Sequence, residues 1–469
     1  MNGLTTMMSM RRSAWILFTA AAALPLGTAA AQVAPRAPAP RPATTVPAPR
    51  PVATVPAARV PAARTQPGAS VPGVPGLVPA QPESMPVELP PSPPPIWDVM
   101  SAQDLVYYIR QIGREGLNPA DYDAEGLEAA IASGDPLRMS AEATERFKRL
   151  SWDLAMGHVV KAARSQWFIV DKDLDAARQD ALLRSALVAH SIRASLDGLL
   201  PTHPQYAALK NSLEMTPATE TSRLNKIRLN MDRWRWLPRD LGQKYIIVNV
   251  PGFHATLVEN GVNRWKHRAI AGATKTPTPQ LSAMAVGVML NPSWEVPPSI
   301  THEVVGKKGF VPIMKNGKLI RWSQPPGPTN ALGQIKFVMY NPQNIYLHDT
   351  NARSRFSSRM RALSHGCIRT EHIMDLATEL LGDDDGPWTP ERIQAQLATG
   401  KTKQANFVKP VPVYIVYFSQ AALLDGTIVD YQDMYHRDGT ALAALQMKDG
   451  GVSLAKKAAP KTPEKVASR

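Results

Sequence analysis

A chain of 469 residues, 44% hydrophobic and 20% charged, has material for two or three globular domains plus linkers. Its net charge of +14 points to anionic partners, and its single cysteine excludes an intramolecular disulfide framework. No zinc-finger or RNP pattern accompanies the basic balance, and nothing after the N-terminus approaches about 18 consecutive apolar residues, so neither nucleic-acid binding nor a later membrane span is expected.

Arg11 and Arg12 form a positive n-region, Ala14 to Leu26 an apolar h-region, and "TAAAQ" a small-residue cleavage site after Ala31. That is the anatomy of a secretory signal peptide over residues 1–31. An uncleaved anchor is the competing reading, but Pro25, Gly27 and the small residues favour cleavage. The exported chain would keep a net charge of +12 and reside in the periplasm. Residues 32–95 are a Pro/Ala/Val/Arg tract without the apolar bulk to build a core, expected to be a disordered, extended linker.

From 96 to 230 the pattern turns helical. Ser101 is a candidate N-cap, followed by Leu105, Tyr108, Ile109 and Ile112 at helical spacing. "AEATERFKRLSWDLAMGHVVKAAR" and "DALLRSALVAHSIRASLDGLL" read as further amphipathic helices. From 231 to 447 short strands take over: Lys244 to Val250, Ala255 to Glu259 before an Asn-Gly turn, "AVGVMLNP", "IKFVMYNP" and "NIYLHD". The expectation is an α+β multidomain chain, an all-helical N-terminal scaffold followed by a mainly β domain built as a sandwich or a small barrel-like sheet. A helix carrying Ile373, Leu376, Ala377, Leu380 and Leu381 on one face interrupts the strands, and "VPVYIVYFSQAAL" reads as the last strand. Residues 448–469 read as a basic disordered tail.

The lone cysteine, Cys367, lies in "SHGCIR", 19 residues after His348. A thiol attacks carbonyls as thiolate, so it needs a base or a positive potential. His348 or His365 could be the base. The helix expected near Thr370 and the arginines at 353, 355, 359, 361 and 369 could supply potential. Gly366 lets backbone amides of Gly366 and Cys367 approach an oxyanion. Two other readings compete: a core cysteine beside a solvated arginine face, and a zinc site of His348, His365, Cys367 and His372. Crowded like charge opposes the first, and spacing and arginine density oppose the second.

"SHGCIR" preceded by "YLHDT" resembles the signature of L,D-transpeptidases with the YkuD-type catalytic domain. "NMDRWRWLP", "NPSWEVPPSI", "PGPTNALGQIKF" and "YIRQIGREGLNPADYD" are similar to the YcbB-like branch and its helical scaffold. The resemblance implies an all-β sandwich in which Cys367 is the nucleophile and His348 the general base. A backbone carbonyl of Asp349 or Thr350 would steady that imidazole, and the amides of Gly366 and Cys367 would hold the oxyanion. Arg369 would organise the loop or meet a substrate carboxylate, and Tyr346 and His365 would contact substrate. The implied substrates are peptidoglycan stem peptides, joined through a thioester into diaminopimelate–diaminopimelate cross-links, with no metal or other cofactor. The same site could instead serve an L,D-carboxypeptidase or amidase, or be vestigial in a wall-binding scaffold. The peptidoglycan-binding domain of many YcbB-like proteins is missing between scaffold and catalytic domain, and the capping segment between Trp294 and Gly333 is short.

Overall fold

The computed structural model describes residues 93–422 and 427–454. The signal peptide expected over 1–31, all but the end of the linker expected over 32–95, and the tail beyond 454 lie outside the described residues.

Asp98 opens the first helix, α1 (Val99–Gln111), its carboxylate accepting from the Ser101 amide at 2.8 Å and the Ser101 hydroxyl at 2.7 Å. The cap therefore lies three residues before the expected Ser101, because a carboxylate there satisfies two donors of that serine. The Leu105, Ile109 and Ile112 face packs with α2 (Ala124–Ala132) and with Phe147, Leu150 and Leu154 of α3 (Pro136–Met156). The next apolar stretch forms two helices, α4 (Ala176–Val188) and α5 (Ile192–Asp197), because His190 takes a left-handed conformation at φ 46°. Helices α6 (Pro204–Met215) and α7 (Thr221–Trp234) fill the segment where the resemblance places an extra domain.

The expected boundary at 230 falls inside α7 and cuts through a core. Ile227, Trp234 and Trp236 pack with Tyr245, Tyr414 and Phe418 of the β region, so scaffold and sheet share buried surface. Strands β1 (Lys244–Asn249) and β2 (His254–Glu259) lead through Asn260 and Gly261, both at positive φ, into β3 (Val262–Gly272). Two successive left-handed residues are what a tight hairpin turn requires. After β4 (Leu281–Leu290) comes a separate three-stranded sheet of β5 (Trp294–Glu295), β6 (Val311–Lys315) and β7 (Lys318–Gln324).

The main sheet resumes with β8 (Ile335–Met339), β9 (Leu347–His348), β10 (Ala362–Ser364) and β11 (Ile368–Thr370). Helices α8 (Ile373–Gly382) and α9 (Pro390–Ala398) precede the long β12 (Lys403–Val416). A small ribbon of β13 (Gln420–Ala422) and β14 (Ile428–Asp430), then α10 (Asp438–Leu445), complete the described elements. The sheet order is β3-β11-β9-β8-β4-β12-β1-β2, and β2 pairs again with β3, with β10 laid parallel on β3. The sandwich-like domain is thus one sheet closed into a ring, which leaves few unpaired edges. Its core joins Ile246, Leu257, Val288, Phe337, Leu347 and Ile368 to the apolar face of α8.

Residues 448–454, expected as the start of the basic tail, are held against the fold. The Gly450 carbonyl accepts from the Val160 amide at 3.0 Å, Asp449 accepts from the Gly451 and Ser453 amides at 3.0 Å, and Leu454 rests on the shared core. Leu454 gives this stretch an apolar side chain to pack, while Val452 stays exposed. No helix among the described residues is long and apolar enough to cross a membrane.

Candidate active site

Strand register builds the site. Parallel pairing sets Leu347 opposite Ile368 and His348 opposite Arg369, while β8 sets Lys336 opposite His348. Leu347, Ile368, Ile335 and Phe337 are fully buried in the core. Side chains alternate along a strand, so Lys336, Tyr346, His348, Cys367 and Arg369 share the other face.

His348 is 4% exposed, and its Nδ1 lies 2.5 Å from the Asp349 carbonyl oxygen. A carbonyl can only accept, so Nδ1 carries the proton and Nε2 keeps its lone pair. Burial, then the charge of Arg369 and more weakly that of Lys336, push the imidazole down to about 3 against the pull of the carbonyl. His348 is therefore a neutral base at neutral pH. Of the two orienting carbonyls expected, Asp349 makes this contact, while the Thr350 hydroxyl accepts from the Ala352 amide at 3.1 Å. The Asp349 carboxylate accepts from the Gln334 amide at 3.0 Å and pairs with Arg353 at 3.1 Å.

Cys367 is half-buried, with its Sγ 3.7 Å from the Asn344 carbonyl oxygen. Burial pushes the thiol above its ordinary value; hydrogen bonds from the Tyr346 backbone and hydroxyl, and the charges of Lys336 and Arg369, pull it only part of the way back. In this geometry the thiol is turned to Asn344 rather than hydrogen-bonded to His348.

The loop before Cys367 departs from expectation in one respect. The Gly366 amide, expected to face an oxyanion, donates to the Ser364 hydroxyl at 3.1 Å, and that hydroxyl donates to the Cys367 carbonyl at 2.6 Å. The amide of Cys367 itself has no hydrogen-bond partner among the described residues and is the donor left for an oxyanion. Gly366 is required for another reason: it sits at φ 119°, where a Cβ would also come within 3.2 Å of Ile345. From behind, the Thr278 hydroxyl donates to the Gly366 carbonyl at 2.7 Å and accepts from the Gly272 amide at 2.9 Å. The Ser364 carbonyl accepts from the Ala273 amide at 2.8 Å and the Thr276 hydroxyl at 3.0 Å. Sequence reasoning missed these threonines; the signal available was hydroxyls spaced between prolines in "TKTPTP".

Two expected sources of positive potential are corrected. Helix α8 begins at Ile373, after all of β11, so its N-terminus lies about 10 Å or more along the chain from Cys367, outside first-turn reach. The arginine cluster disperses: Arg353 binds Asp349, and Arg361 donates to the carbonyls of Ala269, Ser358 and Phe253. Arg369 remains at the site, its Nε buried without a partner. Lys336, missed in the sequence, is the second cation acting on both Cys367 and His348.

His365 is exposed, with Nε2 3.1 Å from the Glu303 carboxylate, and so is turned away from the role of base. The four-residue zinc set does not assemble. Among the described residues, the metal-competent group is His267, Glu371 and His372, whose ligand atoms lie within 4.8 Å of one another. There, Arg268 occupies the Glu371 carboxylate with two hydrogen bonds.

A cavity of about 1190 Å³ opens over Cys367, lined by Lys336, Tyr346 and His365 below and by Trp294, Glu303 and Ile320 above. His348 and Arg369 are not part of its wall and act from behind. The roof is the short capping segment, which folds around its own core of Val296, Ile300 and Val304 with Trp294, Phe310 and Trp322 packed against it.

Residues 243–415 match the family model described as the L,D-transpeptidase catalytic domain, and residues 94–213 match one described as a scaffold domain. The chain therefore carries a catalytic domain of the L,D-transpeptidase family behind a scaffold domain. Among its relatives is a Haemophilus influenzae protein that bears the L,D-transpeptidase name provisionally, 27% identical over 312 residues; the match covers 60% of this chain and 63% of the relative, under two thirds of that protein's length. Solved structures with partial overlap include L,D-transpeptidase 3 from Mycobacterium tuberculosis, at 13% identity and TM-score 0.20, covering 37% of this chain and 60% of the other. The catalytic domain of the E. faecium enzyme acylated by ertapenem overlaps at 13% identity and TM-score 0.21, covering 38% of this chain and 99% of that domain.

Proposed function

We propose that this chain is an exported, periplasmic L,D-transpeptidase that joins peptidoglycan stem peptides through a thioester on Cys367. The observation that carries the proposal is the shared strand face on which Cys367 stands beside a neutral His348 held by a main-chain carbonyl. The matched catalytic domain supports the reaction class, and the basic chain suits carboxylate-bearing stem peptides.

In the proposed cycle the thiol leaves Asn344 and gives its proton to Nε2 of His348. The thiolate attacks the diaminopimelate carbonyl of a donor stem, and the oxyanion forms toward the Cys367 amide. On collapse, His348 returns the proton to the leaving D-alanine nitrogen and a thioester remains. The amine of a second diaminopimelate attacks, passes a proton to His348, and the thiol is regenerated as the new amide forms. The capping sheet holds the acceptor amine over the thioester and keeps water from it.

The test is mass spectrometry of muropeptides after incubation with disaccharide-tetrapeptides. Cross-linked dimers, absent with Cys367→Ala, are the expected result. Tripeptide monomers alone would show an L,D-carboxypeptidase, and no change at all would remove the catalytic assignment.

A further inference from the structure

Lys336 falls within "PGPTNALGQIKF" without a role read from the sequence, yet it stands at the centre of the site. It lies on β8 between Ile335 and Phe337, both fully buried, and faces His348 across the ladder. Its Nζ is 4.1 Å from the centre of the Tyr346 ring, over its face. It lines the cavity that holds Cys367 and a second one of about 560 Å³ beside Asn344. No carboxylate among the described residues comes within ion-pair distance of it. Glu295, which acts on it from β5, is committed to Arg321. A half-buried ammonium without a counter-ion is costly, and the cost is offset if an anion forms beside it.

That anion is not balanced by His348. With Nδ1 on a carbonyl and two cations nearby, the imidazole stays neutral. We propose that Lys336, with Arg369, supplies the counter-charge of the Cys367 thiolate, so that the nucleophile ionises between fixed cations and a neutral imidazole instead of as a thiolate–imidazolium pair. This rests on Cys367 being the nucleophile. Lys336 is then a positioning residue: it acts through the sulfur and through the Tyr346 ring, whose hydroxyl and amide also bind the sulfur. In the free enzyme the thiol proton leaves to solvent and the imidazole stays neutral; His348 takes up a proton only transiently during turnover, and no other bond changes.

The groups that face Cys367 are Lys336 from β8, Tyr346 and His348 from β9 and the turn before it, Arg369 from β11 with Arg355 behind it, and Glu295 from the roof. Burial holds the Tyr346 hydroxyl far above neutrality, and His348 is already neutral above about 3. His302 and His365 also line the cavity over Cys367, so the titration has to be read on the thiol itself.

The experiment uses the sole cysteine of the chain, so no second thiol contributes background. The rate of iodoacetamide alkylation of the full-length protein is followed against pH by intact mass. For Lys336→Met the midpoint should move up by about 1 unit or more, with Lys336→Gln giving the same direction if the Met variant fails to fold. Lys336→Arg should return the midpoint to within about 0.3 units of wild type, which a purely structural role for the side chain would not do. An unmoved midpoint in folded Lys336→Met or Lys336→Gln would overturn the inference, as would a larger upward shift in His348→Gln than in either. Because alkylation needs no peptidoglycan, a protein with the expected midpoints that makes no cross-links would remove the proposed function and leave this inference intact.

Discussion

At the scale of single residues, the His348 imidazole is oriented by a main-chain carbonyl, and this separates two neighbouring substitutions. Asp349→Asn keeps the carbonyl that holds His348 and alters only the contacts to Arg353 and the Gln334 amide. It should leave turnover within about threefold of wild type, whereas His348→Gln should lower it by about 10² to 10⁴. Single-turnover acylation of each variant by a tetrapeptide donor checks this, and equal losses in both would show that the carboxylate, not the carbonyl, is the orienting group. That Cys367 and His348 belong to one site was legible in the sequence because cysteine and histidine are rare and chemically distinctive. The oxyanion donors were only half legible: that the Ser364 hydroxyl already takes the Gly366 amide depends on loop geometry. Lys336 was illegible because a lysine between two apolar strand residues reads as an ordinary outward side chain.

At the scale of elements, the loop that carries Cys367 is held by a threonine bridge instead of by a helix dipole. Thr278 is fully buried and ties the end of β3 to Gly366. Thr278→Val keeps the shape and removes both bonds, so it should destabilise the fold by about 1 to 3 kcal/mol and lower kcat more than it raises KM. Chemical denaturation and steady-state kinetics read the two effects. The capping hairpin β6–β7 exposes Ile313, Met314, Leu319 and Ile320 yet forms part of the roof over the cavity. Replacing it by a short Gly-Ser turn should raise the fraction of hydrolysed over cross-linked product, measured on the same muropeptides. Alternation and the Asn-Gly turn made β1, β2 and their hairpin readable, and 3.6-residue spacing made α8 readable. Closure of the ring through the second β2–β3 pairing was not, since no local pattern records which distant strand a second edge will meet. The break at His190 and the cap at Asp98 are likewise decided by single backbone geometries.

At the scale of the whole molecule, scaffold and sheet behave as one body because α7 and its flanks are built into both. Buried Asp232 accepts from the His158 amide at 2.8 Å, from the Val159 amide at 3.2 Å and from the Trp236 indole at 2.8 Å. His158 in turn bonds Asp153 at 2.7 Å and the Met447 carbonyl at 2.8 Å, fastening the end of the described chain to the scaffold. Burial alone would lower His158, but its hydrogen bond and charge interaction with Asp153, aided by Asp232, raise it to about 9. Its contribution, of the order of 3 kcal/mol for that shift, is present in full below pH 6.5 and is lost as pH rises toward 9. His348, depressed to about 3, and His203 and His254, each depressed to about 4 chiefly by burial, act in the opposite direction. They stay neutral in the fold but bind protons when unfolded, so stability falls as pH drops below about 6.5. The thermal midpoint should therefore peak near pH 6.5, and His158→Gln should flatten the alkaline side while leaving the acid side unchanged. The signal peptide and the proline tract are expectations from composition that lie almost wholly outside the described residues, while the core shared across the expected boundary at 230 was hidden because its two halves are far apart in sequence.

The central claim, that Cys367 carries the acyl group from a stem peptide, is tested most directly by intact-mass spectrometry of the full-length protein mixed with a tetrapeptide donor and no acceptor. The account predicts a mass increase equal to the tetrapeptide donor less one D-alanine, mapped by digestion to the peptide containing Cys367 and absent in Cys367→Ala. An adduct that persists in Cys367→Ala, or that maps elsewhere, would contradict it.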